Sequence, residues 1–163
     1  MKKITFEVCV DTIKGAIDAV NNGADRLELC DALGIGGTTP SAGLMKSASK
    51  LGVPIYAMIR PRGGDFIFNS EDMDVMLHDI DRCRHYGMTG IVIGMSYENG
   101  ALDFEKLKTI PTILVGGGPI SEEIENRLKE LNITVYHSFG MTETVSHIAM
   151  RKVGKETTPY YEA

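Results

Sequence analysis

The chain has 163 residues and a formal net charge of −5, a length that suits one domain with a real core. Hydrophobic residues make up 43% and charged residues 24%, which excludes an intrinsically disordered chain. The acidic balance offers no basic face for nucleic acid, and no apolar run approaches the roughly 20 residues that span a bilayer.

Residues 4–10 are rich in β-branched side chains and predict a strand. The opening stretch MKKITFEVCVD turns acidic before a signal-peptide core could form. Asp11 is placed to cap a helix in which Ile13, Ala16, Ile17 and Val20 recur at helical spacing, and Asn22-Gly23 ends it. Residues 26–30 predict the second strand, followed by a loop over 34–40 and a helix over 41–50. Residues 54–60 predict the third strand, followed by a loop over 61–69. Ser70 is expected to cap a longer helix whose Met73, Met76, Leu77, Ile80 and Cys83 form one apolar stripe. The fourth strand is expected over 90–96, then a short helix over 102–110 with Asp103 as its cap, then a fifth strand over 112–116. Ser121 is expected to cap a helix bearing Ile124, Leu128 and Leu131. A sixth strand over 133–139 and a helix over 142–151 complete the pattern, and residues 155–163 are expected to be a mobile tail.

Strands alternating with helices predict parallel βαβ units with right-handed crossovers, within a single α/β domain over residues 1–163. A complete (β/α)8 barrel takes roughly 250 residues. The expected fold is therefore a partial (β/α)8-type barrel or an open doubly wound sheet. A partial barrel exposes strand edges, and a homo-oligomer is one way to cover them. One junction is discordant: the helix over 102–110 runs straight into Pro111, which disfavours helix at Ile110. It suggests a splice between two sequence styles.

The clearest internal signal is a near repeat, Glu7-Val8-Cys9 and Glu28-Leu29-Cys30, one βα unit apart. Residues i and i+2 of a strand share a face, so each glutamate sits beside its cysteine. On neighbouring strands Cys9 and Cys30 could meet at the carboxyl ends, where barrels and open α/β sheets place their sites. Two soft thiolates suit Cu(I); equally, a free cysteine often packs as a small hydrophobe. Three cysteines without small-scaffold spacing argue against a disulfide framework and for a reducing cytoplasm. The buried carboxylates need partners, for which Arg26 and Arg60 are the natural candidates, in a structural or a substrate-binding role.

Arg60-Pro61-Arg62-Gly63-Gly64 sets two guanidinium forks beside a Gly-rich turn. Gly36-Gly37-Thr38-Thr39-Pro40-Ser41 leads into a helix N-terminus. Thr38, Ser41, Arg60 and Arg62 are thus candidates for binding a small anionic ligand, against the alternative of ordinary loop chemistry. His78 and His85 fall on the polar side of their helix, and His137 and His147 have no ligand-spaced companions. No HExxH, CxxC, GxSxG or Walker motif occurs.

The stretches EVCVDTIKGAIDAVNNGADRLELCDALGIGGTTPSAGLMKSA and PIYAMIRPRGGDFIFNSEDMDVMLHDI resemble the CutC copper-homeostasis family over about residues 3–108. The resemblance implies the first four βα units of a (β/α)8 barrel, a cytoplasmic and often oligomeric protein, and Cu(I) ligation at Cys9 and Cys30. It also implies that strands five to eight of that barrel are missing. The last third resembles another group. Thr112 to Ser121, with its Gly116-Gly117-Gly118-Pro119 turn, and Val135 to Thr144 are similar to the acyl-adenylate-forming ligases, the o-succinylbenzoate–CoA ligases in particular. That resemblance implies nucleotide contacts at Gly116, Gly117, Gly118, Pro119, Tyr136, Thr142 and Glu143. The superfamily's phosphate loop, ribose-binding Asp and C-terminal Lys have no counterpart, so ATP and Mg²⁺ are not expected as working cofactors and adenylation cannot be assembled. The two resemblances together imply a chimera, with a half-barrel over 1–110 and a ligase-like segment over 111–163. The readings that follow are a cytosolic Cu(I)-binding domain, a structural chimera without activity, and a ligase remnant.

Overall fold

The computed structural model describes residues 5–107, 112–115, 126, 134–141 and 146–152. Four βα units open the chain. They run β1 (Glu7–Val10), α1 (Ile13–Asn21), β2 (Arg26–Leu29), α2 (Ala42–Ala48), β3 (Ile55–Ile59), α3 (Ser70–His85), β4 (Gly90–Ile93) and α4 (Phe104–Leu107). Strands β1 to β4 form one parallel sheet in sequence order. A doubly wound sheet would reverse its strand order at a switch point. This one never reverses, which selects the barrel-type alternative.

The sheet's two faces differ. Val10, Leu27, Leu29, Ile55, Ala57, Ile59 and Ile93 are buried against Ala16, Met45, Ala48, Met76 and Cys83 of the helices. The alternating residues Glu7, Cys9, Arg26, Glu28, Tyr56 and Met58 occupy the other face. Gly90, next to Tyr56 in register, makes room for that ring, since a β-carbon there would stand 2.8 Å from two of its atoms.

The helix ends follow capping chemistry, with shifts from expectation. Thr12, not Asp11, caps α1 by accepting from the Gly15 N–H. Asp11 instead accepts from the Leu33 N–H at 3.2 Å. Asn69, not Ser70, caps α3 in a reciprocal capping box with Asp72. Asp103 caps as expected, accepting from the Lys106 N–H, and Ser41, expected as the first helical residue, is instead the cap of α2, accepting from the Leu44 N–H. On α3 the apolar stripe is narrower than the sequence suggests: Met76 and Cys83 are buried, whereas Leu77 is 48% exposed.

The later strands are β5 (Thr112–Val115), β6 (Thr134–Met141) and β7 (Ser146–Lys152). They form a second sheet, with β5 parallel and β7 antiparallel to β6. The sheet pairing thus breaks between β4 and β5, on either side of Pro111, while β5 lies beside β4 and β7 beside β1. The helix expected over 142–151 is corrected: Ser146–Lys152 is a strand. Ile148 and Met150 alternate with His147, Ala149 and Arg151, a period of two that fits a strand paired along β6. Seven strands therefore stand among the described residues, against six expected. The helix expected from Ser121 and the tail over 155–163 lie outside the described residues, apart from Asn126, which is helical.

Candidate functional site

The site lies at the carboxyl ends of β1, β2 and β3. The parallel register sets Glu7 beside Arg26 and Cys9 beside Glu28. The Glu-x-Cys repeat is therefore staggered by two residues across the strand pair, and Cys30 stands diagonally above Cys9. Their Sγ atoms are 3.6 Å apart. Cys30 is fully buried, its N–H donates to the Val10 carbonyl at 3.0 Å, and Cys9 is half-buried. A disulfide needs about 2.05 Å between sulfurs, so these are two thiols in contact. The hydrogen bond with Cys30 holds the Cys9 thiol well above its usual pKa, and burial and the Glu28 and Glu7 carboxylates push the same way.

The carboxylates form the floor below. Glu7 and Glu28 are 1% and 3% exposed. Glu7 pairs with the Arg26 guanidinium, which also lies over the Tyr56 ring at 4.9 Å. Arg26 thus takes one of the two partner roles expected of it. Arg60 goes elsewhere. Its guanidinium donates to the carbonyls of Ile35, Gly37 and Gly64 and stacks on Phe66. It therefore clamps the β2–α2 loop to the β3–α3 loop.

The residues expected to hold an anion lie in these loops and carry internal bonds. Arg62 is held by Asp65, Asp72 and the Ile67 carbonyl. Thr38 pairs through its backbone with Asp31, and Ser41 is occupied as the α2 cap. Of the residues expected to contact nucleotide, Tyr136 lies in β6, and Gly116, Gly117, Gly118, Pro119, Thr142 and Glu143 lie outside the described residues. His78 bonds its own helix through the Asp74 carbonyl. Cys83 is on the helix side, buried against the Met45 sulfur.

One site residue was not singled out from the sequence. Continuing the β2–β3 register one step past Leu29 and Ala57 brings Met58 beside Cys30. The repeat therefore extends into the third strand as Tyr56-Ala57-Met58, a polar residue followed two positions later by sulfur. That period-two echo was the available signal.

Soft thiolate and thioether donors favour Cu(I), whereas structural zinc takes four ligands. Among the described residues no group of three or more His, Cys, Asp and Glu comes together as a metal cage. The donor set that does come together is a pair of sulfurs, which fits Cu(I). No helix among the described residues is long and apolar enough to cross a membrane.

Comparison with known proteins agrees with the parallel α/β fold. The sequence profile of the CutC family matches residues 4–147. The match runs past Pro111 and across most of the ligase-like stretch, so a ligase origin for that stretch finds no support in it. The family protein CutC of Rhizobium meliloti (strain 1021) is 52% identical over 118 residues, 72% of this chain and 48% of that protein. That of Caulobacter vibrioides (strain NA1000 / CB15N) is 49% identical over 108 residues, 66% of this chain and 44% of that protein. The chain thus spans about half the length of the curated relatives it matches. A crystal structure of a CutC protein from Streptococcus agalactiae, assigned to copper homeostasis, is similar with a TM-score of 0.64 at 25% identity, covering 82% of this chain and 86% of that one.

Proposed function

The chain belongs to the CutC family, and from that premise we propose that it is a cytoplasmic copper-homeostasis protein that binds Cu(I) through Cys9 and Cys30. The observation that carries this reading is the 3.6 Å approach of the two thiols at the carboxyl ends of neighbouring parallel strands. Cu(I) bound by two thiolates would displace the thiol protons of both Cys9 and Cys30, so binding releases acid. Arg26 holds the Glu7 carboxylate below the sulfurs, and the Arg60 clamp fixes the loops above them. Competition with a Cu(I) chelator tests the assignment. Cys9→Ser and Cys30→Ser should each lose most of the affinity, and Cys83→Ala should keep it. Equal affinity in the wild type and the double serine variant would make the cysteines packing residues.

Several wider features belong to the same proposal. The chain is a single domain, and it self-associates to cover its strand edges, which sedimentation across the micromolar range would test. A small anion at Thr38, Ser41, Arg60 and Arg62 would have to displace the bonds those residues make; titration with inorganic phosphate tests it.

A second reading has one observation in its favour. The antiparallel β6–β7 pair departs from the parallel repeat of the first four strands. In that reading residues 111–163 are a segment of other origin, either structural or retaining nucleotide binding from a ligase. Titration with ATP separates it from the first: saturable binding lost on Tyr136→Ala would support the remnant.

A further inference from the structure

We propose that a third sulfur, the Met58 thioether, completes the Cu(I) site, and that Gly37 is required at its position to leave room for it. The proposal rests on the copper reading of Cys9 and Cys30. It adds a ligand from a third strand and a reason for the shape of the loop above.

Placement comes first. In β3, Ile55, Ala57 and Ile59 are buried in the core with the helices, so Tyr56 and Met58 face the opposite side. Met58 therefore shares a face with Cys9 and Cys30, one register step beyond the Leu29–Ala57 pair. Consecutive strands β1, β2 and β3 thus each contribute one sulfur at the same end of the sheet.

The loop supplies the second observation. A β-carbon on Gly37 would stand 2.7 Å from Met58 Sδ, 3.0 Å from Met58 Cε and 3.4 Å from Cys30 Cβ. The glycine backbone thus sits down onto the Met58 thioether and Cys30 together. Gly37 has φ +85°, a left-handed conformation that side chains resist. Its carbonyl accepts from Arg60 at 3.0 Å and its N–H donates to Ala32 at 3.2 Å. The loop is held closed over the sulfurs from both ends.

The chemistry suits the place. A thioether is a soft donor for Cu(I) and carries no charge. With Cu(I) bound, the two cysteine sulfurs would be thiolates close to the buried Glu7 and Glu28 carboxylates. A third anionic ligand would add repulsion there, whereas methionine adds coordination without charge.

The test uses the full chain loaded with Cu(I). X-ray absorption at the copper edge should find three sulfur neighbours in the wild type and two in Met58→Leu, a volume-conserving change. In chelator competition Met58→Leu should lose at least about tenfold in affinity, since even the loss of outer partners of metal ligands costs about 10- to 100-fold. With methyl-labelled methionine, the Met58 signal should shift on Cu(I) addition while that of Met45 stays in place; this readout needs no variant to fold. Two sulfur neighbours in the wild type, or an unmoved Met58 methyl, would overturn the third ligand and leave the cysteine pair standing. A wild type that binds no more tightly than the Cys9→Ser, Cys30→Ser double variant would bring down the copper reading and Met58 with it.

Discussion

The two faces of the parallel sheet are made by alternate residues of the same strands, yet they obey different rules. The helix-side face is Val10, Leu27, Leu29, Ile55, Ala57, Ile59 and Ile93, apolar throughout and closed by α1, α2 and α3. The opposite face carries Glu7 and Arg26, then Cys9 beside Glu28 and Tyr56, with Cys30 and Met58 above them. Barrel interiors are ordinarily packed with bulky branched side chains. Here the interior positions of β1 and β2 bear charge and sulfur, with Tyr56, Met58 and Val92 beside them, so burial on that side is not driven by the hydrophobic effect alone. The lesson is a division of labour: one face holds the fold, and the other spends stability to hold chemistry in place.

The sharpest way to break that division is at Arg26. It pairs with Glu7, which is 1% exposed. Removing one partner of a buried ion pair costs about 3–5 kcal/mol. Arg26→Met should therefore destabilise by that order in denaturant unfolding, and Glu7→Gln added to it should recover part of the loss. If Arg26→Met unfolds at the wild-type midpoint, the polar face contributes nothing through this pair.

The helix-side face is tested at Ile59, which is 1% exposed within the core cluster. Truncation of a buried isoleucine to alanine costs about 2–5 kcal/mol. Ile59→Ala should lower the unfolding midpoint while the folded protein keeps its Cu(I) affinity. A variant that loses copper binding at full stability would show that the two faces are not separable.

How far the sequence reveals this division depends on the range of each cause. The i, i+2 spacing makes Glu7 with Cys9, and Glu28 with Cys30, legible as shared faces, and the structure brings the thiols to 3.6 Å. The same rule holds for Met58, but a methionine in an apolar strand reads as core, and its neighbour Cys30 is 28 positions away in sequence. Only the β2–β3 register brings them together. Caps were legible to within one residue, because Asp11 and Thr12, or Asn69 and Ser70, are each able to accept the same N–H groups. Strand β7 was misread because its pairing partner, β6, is a separate segment whose contribution no local period reports. Arg60 was legible as a buried fork but not as a clamp, since its acceptors are carbonyls, which every residue carries.

Gly37 sharpens the comparison at the sulfur end. Gly37→Ala meets Met58 Sδ at 2.7 Å and forces a side chain into φ +85°. Strain of this kind and overpacking each cost about 1–3 kcal/mol. The expected result is a moderate loss of stability together with weaker Cu(I) binding. Unchanged binding would mean that the loop does not govern the sulfurs.

The smallest effect distinguishes the third cysteine from the other two. Cys83 is buried on the helix side, with its Sγ 4.0 Å from Met45 Sδ. Burial, and next the charge of Asp79, push its pKa from 9.0 to about 12. A thiol whose folded pKa is raised favours the folded state fully below the unfolded value. That contribution is lost as pH rises from about 9 toward about 12, because the unfolded chain gives up the proton first. Stability should therefore fall over that alkaline window, and Cys83→Ala should fall less steeply than the wild type. Cys9 adds to the same slope, since its pKa is also raised, so the comparison is made in a Cys9→Ser background. Alkylation at pH 8 gives an independent reading, because the thiolate is the reactive form: Cys83 should stay unmodified in the folded protein and react on unfolding. If Cys83 is modified as fast folded as unfolded, it is not a core residue, and the helix-side face is less closed than its apolar composition requires.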